Sequence, residues 1–104
     1  MKTINYRVVL DGVGVLHSPK IHLENIQINL VSNNLKRWEC EEVAIPVDGE
    51  LNVRLGCFAI SGTKWTFRIT NKDQGTKVLD ESGQTGSNVN KPNESDENFS
   101  IDPE

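Results

Sequence analysis

The chain has 104 residues, of which 36% are hydrophobic, with a mean hydropathy of -0.47 and a formal charge of -4, which is room for one domain with a modest core. Residues 84–104 hold five acids against Lys91 alone, while residues 1–83 carry ten charges of each sign, so the whole net charge sits at the C-terminal end. A neutral body without a basic run excludes a nucleic-acid footprint, and no stretch has the apolar length of a membrane span.

The opening segment "MKTINYRVVL" lacks the continuous apolar run and small-residue cleavage site of a secretory leader. It predicts a cytoplasmic protein, or a secreted one if a leader has been removed. The same segment places Tyr6, Val8 and Leu10 on one face of a strand. Further on, Ile26, Ile28 and Leu30 alternate with Asn25, Gln27 and Asn29, and "SNN" at 32–34 breaks the pattern.

Asp48-Gly49 lies between two alternating runs and predicts a hairpin. With Val47 opposite Leu51, Ile45 meets Val53 and Val43 meets Leu55. The parity then fails, and one extra residue at Glu41-Glu42 restores it, which predicts a β-bulge. That register sets Cys40 opposite Cys57 and Trp38 opposite Ala59.

Trp65, Phe67 and Ile69 alternate with Thr66, Arg68 and Thr70, so this strand is half buried and Trp65 belongs to the core. "NKDQG" at 71–75 turns the chain, and "TKVLDES" adds a shorter strand. From Gly83 the pattern dissolves, with only Val89, Phe99 and Ile101 apolar. So little apolar area predicts a flexible acidic tail over 84–104, with a short final strand near 98–102. The fold class is therefore all-β, an antiparallel β-sandwich of immunoglobulin-like type over 1–83, with a small β-barrel as the alternative.

Chemistry is sparse. His17, His22, Cys40 and Cys57 match the inventory of a zinc site, but no two of them are spaced to bind from one turn. No metal or other cofactor is expected. There is no nucleophile elbow, and the acidic pairs Glu41-Glu42 and Asp80-Glu81 point to opposite faces of their strands. The reading is non-enzymatic. Two acceptor tripeptides for N-glycosylation, at Asn93 and Asn98, carry weight only in a secreted protein.

What remains is surface. Asn25, Gln27, Asn29, Thr66, Arg68 and Thr70 face outward and offer amide and hydroxyl groups to a ligand. Phe99 and Ile101 can add a strand to a sheet edge, in this chain or in another copy. The function expected is a binding or assembly module acting through a sheet edge or its C-terminal tail, with a protein partner or self-association. Neither nucleic acid nor membrane is expected as a partner. A carbohydrate-binding module is the alternative, which needs an exposed aromatic beside the polar face. A metal-dependent enzyme ranks third.

Overall fold

The computed structural model of the chain describes residues 1–86 and 91–104; Val89 falls outside them. The strands are β1 (Lys2–Gly12), β2 (His17–Leu23), β3 (Ile26–Gln27), β4 (Arg37–Val47), β5 (Leu51–Phe58), β6 (Lys64–Asn71), β7 (Thr76–Gln84) and β8 (Glu94–Ile101). They form two antiparallel sheets of four strands, ordered β4-β1-β6-β7 and β3-β2-β5-β8, packed as a β-sandwich. Among the described residues there is no helix, and hence none long and apolar enough to cross a membrane.

Alternation dictates which side chains meet between the sheets. Tyr6, Val8 and Leu10 from β1, Leu51, Val53, Leu55 and Cys57 from β5, and Trp65, Phe67 and Ile69 from β6 are all buried. Each sheet thus contributes one apolar face, as two-layer packing requires.

The hairpin expected at Asp48-Gly49 does not form. Strand β4 pairs with β1, and β5 pairs with β2 and β8, so the chain crosses between sheets at this turn. Gly49 has φ +85° and only the isolated bridge Asp48–Glu50 closes the corner. The physical reason is simple. Alternation fixes that Ile45, Val47, Leu51 and Val53 point inward, and facing sheets satisfy that as well as neighbouring strands do. The bulge at Glu41-Glu42 is present, but it lies opposite β1: Tyr6 pairs with Val43 and Val8 with Cys40. Cys40 and Cys57 therefore sit on different sheets, beside Val8 and Ser95, and both are free thiols.

Beyond Gln84 the chain returns as β8, longer than the 98–102 stretch read from the sequence, and pairs with β5 from Leu51–Ile101 to Phe58–Glu94. Its inner face carries Ser95, Glu97, Phe99 and Ile101. The buried Trp65 Nε1–H donates to Ser95 Oγ at 3.0 Å, the Phe99 ring lies 6.3 Å from that of Phe67, and Tyr6 OH donates to the Pro103 carbonyl at 2.9 Å. Ser95→Ala leaves the Trp65 N–H without a partner in the core, so it is expected to cost about 1–2 kcal/mol in urea unfolding.

Burial, with help from Glu24, Asp102 and Asp73, pushes the Tyr6 phenol from its ordinary value of 10 up to about 12. The folded state then holds this proton where the unfolded chain has released it. Tyr6 therefore contributes stability that is fully present below pH 10 and is lost as the pH rises through about 12. Between those limits the wild type should lose stability faster than Tyr6→Phe, as thermal melts at stepped pH would show. Parallel slopes would refute the assignment.

Because successive strands run in opposite directions, the connections after β1, β3, β5 and β7 gather at one end of the sandwich. The connections after β2, β4 and β6, and both chain termini, gather at the other.

Candidate functional site

The two outer faces differ in how their polar groups are used. On the β4-β1-β6-β7 face the charges neutralise one another. Arg7 lies between Glu39 and Glu41 at 3.5 and 3.3 Å, Arg37 bridges Asp11 and Glu39 at 3.0 and 3.3 Å, and Arg68 pairs with Asp80 at 3.4 Å. Exposed pairs of this kind stabilise by well under about 1 kcal/mol each, but together they leave few groups without a partner.

The β3-β2-β5-β8 face is open. Register places Gln27, His22, Arg54 and Asn98 in one row across all four strands. The next row runs Lys20, Gly56, Asp96, and beyond it lie His17, Phe58 and Glu94. On the other side Asn52 lies beside Ser100. Around these rows is a shallow cleft of about 600 Å³ lined by His22, Asn25, Asn52, Arg54, Asn98 and Ser100. It continues past His22 and Arg54 into a second hollow of about 320 Å³ at Lys20, Gly56, Phe58 and Asp96.

Local structure holds these groups in place. Glu24 and Asn25 both have positive φ, 50° and 67°, in the tight turn that joins β2 to β3, and this brings Asn25 to the rim. Glu24 Oε1 accepts from the Asn52 backbone N–H at 2.8 Å and from its amide at 3.3 Å. Ser100 Oγ donates to Glu50 at 2.7 Å, and Arg54 reaches Asp96 at 3.5 Å. His22 Nδ1 is buried and has no hydrogen-bond partner among the described residues. Arg7 Nε and Asn71 Nδ2, away from the cleft, share that state, so it does not by itself mark the cleft. Gly56 supplies the dip between Lys20 and Asp96, and a Cβ there would meet only the Ser95 carbonyl, at 3.9 Å.

Of the residues singled out from the sequence, Asn25 lines the cleft and Gln27 ends its central row. Asn29 is exposed beyond β3 and lines neither hollow. Thr66, Arg68 and Thr70 belong to β6, on the opposite outer face, so the six polar positions do not make one surface. Phe99 and Ile101 point inward, with Phe99 forming part of the cleft floor. Missing from that set were His22, Asn52, Arg54, Asn98 and Ser100. The signal for four of them was the same alternation that marks the core: Asn52 and Arg54 separate Leu51, Val53 and Leu55, and Asn98 and Ser100 flank Phe99.

Among the described residues no three His, Cys, Asp or Glu side chains converge as metal ligands. Cys57 lies beneath the second hollow, fully buried, and burial together with Glu94 pushes its thiol up to about 11. Only the thiolate is nucleophilic. In the folded protein near pH 8, one thiol, that of the half-buried Cys40, is expected to react with a disulfide reagent, and two after denaturation. Equal rates for both would place Cys57 in contact with solvent.

No protein-family model, no curated protein and no solved structure matches the chain.

Proposed function

We propose that the protein is a non-enzymatic binding module that seats an extended segment of a partner protein across the exposed face of β2, β5 and β8. The observation that carries this reading is the open cleft on this face, where Asn25, His22, Arg54 and Asn98 line one hollow, whereas the arginines of the other outer face are taken up in ion pairs across their own sheet. Asn25, Asn52 and Asn98 can each donate to and accept from a peptide backbone, and Arg54 can donate to its carbonyls. Asn98 and Ser100 come from the C-terminal segment, which thus serves as part of the binding surface.

The sheet edges favour the face over strand addition. Strand β3 has two residues, β4 is interrupted by its bulge and by Pro46, β7 shifts register against β6 and carries Lys77, Asp80 and Glu81, and β8 carries Asp96 and an inward-pointing Glu97. These are devices that discourage edge pairing. The size and two-sheet build are those of immunoglobulin-like binding domains, an architectural analogy and no more. The two free thiols, on different sheets, support a reducing, cytoplasmic setting.

A second reading has a specific observation behind it. Phe58 is 46% exposed and lies at the end of the second hollow beside Asp96, Glu94 and Lys20, the aromatic-plus-polar pairing that a sugar ring uses. Peptide and glycan arrays probed with the wild type, Arg54→Ala/Asn98→Ala and Phe58→Ala separate the two. Peptide signals lost in the Arg54/Asn98 variant support the protein reading, and glycan signals lost in Phe58→Ala support the carbohydrate one. Signals indifferent to both variants would remove this face from consideration. Gly56→Tyr is expected to fill the dip and block either ligand while the protein stays folded, because a Cβ there makes only an ordinary contact with the Ser95 carbonyl, at 3.9 Å.

A further inference from the structure

The two ends of the sandwich have opposite chemistry. At the end that carries the turns after β2, β4 and β6, and the chain termini, lie Glu24, Asp48, Glu50, Asp73, Asp102 and Glu104. At the other end, the described residues of the connections, 13–16, 28–36, 59–63, 85–86 and 91–93, include no acid. Five of the exposed apolar side chains stand there, on three separate connections: Ile60 at 83%, Val13 at 78%, Val31 at 68%, Leu35 at 45% and Val15 at 36%.

These tips are held rigidly. The Ile60 carbonyl accepts from Thr63 N at 3.0 Å, Thr63 Oγ1 at 2.6 Å and Thr85 Oγ1 at 2.7 Å. Val13 N donates to Lys64 O at 2.9 Å, and Leu16 N to Leu35 O at 2.8 Å, which ties the three connections together. Aliphatic groups are thus fixed facing water, with no local packing to explain them. The cations nearby are also available. Among the described residues, Lys20, Lys36 and Lys64 are the three basic side chains with no carboxylate at ion-pairing distance, and Lys36 and Lys64 adjoin the tips.

We infer that this end of the sandwich docks on an anionic lipid surface, with Ile60, Val13 and Leu35 entering the headgroup region and Lys36 and Lys64 facing its phosphates. The sequence has no apolar span, but that bears on crossing a bilayer and not on resting against one. Isolated aliphatic tips suit a lipid surface better than a protein groove. Ile, Leu and Val are favourable in a bilayer, whereas protein hot spots are built from Trp, Tyr and Arg, with Leu and Val under-represented. A second copy of this chain fits less well, because the carboxylates of its opposite end, Asp48, Asp73, Asp102 and Glu104 among them, complement the lysines but not the aliphatic tips. The acidic end, at the far side of a molecule 39 Å long, would point away from the membrane and set the orientation. A few apolar tips and two lysines give reversible binding, the regime of weak peripheral contacts.

Co-sedimentation of the full chain tests this with two vesicle preparations, phosphatidylcholine alone and a mixture with about one part in four of phosphatidylserine. The protein should pellet with the mixed vesicles. Omission of the anionic lipid, or Lys36→Glu/Lys64→Glu, should lower partition about tenfold or more. Ile60→Asp and Val13→Asp should each lower it by a similar factor with unchanged melting temperature, while Gln74→Ala, in the exposed turn at the opposite end, binds as wild type. Protein left in the supernatant with both vesicles, or partition unaffected by the Asp substitutions, overturns the inference. So does lipid-free dimerisation in light scattering that Ile60→Asp abolishes, since the tips would then serve a second copy.

Discussion

A chain ending at Asn90 is expected not to fold. The full-length protein should melt cooperatively, and the shortened one should show no transition and a disordered far-ultraviolet circular dichroism spectrum. The reason lies in what β8 covers. Strand β5 is internal to its sheet and buries Leu51, Val53, Leu55 and Cys57. Without β8 its whole edge, paired from Leu51 to Phe58, opens to water. Phe99 and Ile101 are removed from the core margin, and loss of a partly buried Phe by itself costs about 2–3 kcal/mol. The Trp65 N–H loses Ser95 and the Tyr6 hydroxyl loses Pro103, at about 0.5–1.5 kcal/mol for each hydrogen bond exchanged for water, and the apolar side chains of β5 lose their cover on one side. The sum reaches the whole stability of a typical domain, about 5–15 kcal/mol. A shortened chain that melts cooperatively within a few degrees of the full one would show that β8 is dispensable, and would take Asn98 and Ser100 out of a structured site.

This dependence on β8 was poorly legible in the sequence. Alternation in β1, β5 and β6 is strong enough to identify the core faces from residues alone, because each buries three or four large side chains in register. Strand β8 places Ser95 and Glu97 on its inner face, so half of its inward positions read as solvent. What orders it is its neighbour β5, together with Trp65 and Phe67 on β6, and none of these is local in sequence. The Asp48-Gly49 corner misled for a related reason. Its flanking residues declare their face but not their neighbour, and only the packed molecule distinguishes a hairpin from a crossing. The cleft was hidden more deeply. Its rows join Gln27, His22, Arg54 and Asn98 from four strands, so no short motif announces it, and His22 stood out only as a doubtful metal ligand.

The second large effect concerns Gly83, whose role only the packed structure reveals. Gly83 pairs directly across from Trp65, and a Cβ at this position would lie 2.8 Å from Trp65 Cε2, with Cζ2 nearer still. The indole is not free to yield, since it is 3% exposed and its N–H is fixed to Ser95. Gly83→Ala must therefore push the ring from its site and strain or break that hydrogen bond. Overpacking of this kind costs about 1–3 kcal/mol, and the displaced N–H adds to it, so a loss of about 3 kcal/mol or more is expected in urea unfolding, with a red-shifted tryptophan emission. Trp65→Phe supplies the control, because the smaller ring lacks the atoms that meet the new methyl. In that background Gly83→Ala should be nearly neutral, or slightly favourable, since a strand glycine is entropically costly. The coupling between the two substitutions should thus be about 2 kcal/mol or more. If the two costs simply add, Gly83 does not make room for the indole, and Trp65 is placed by β6 alone.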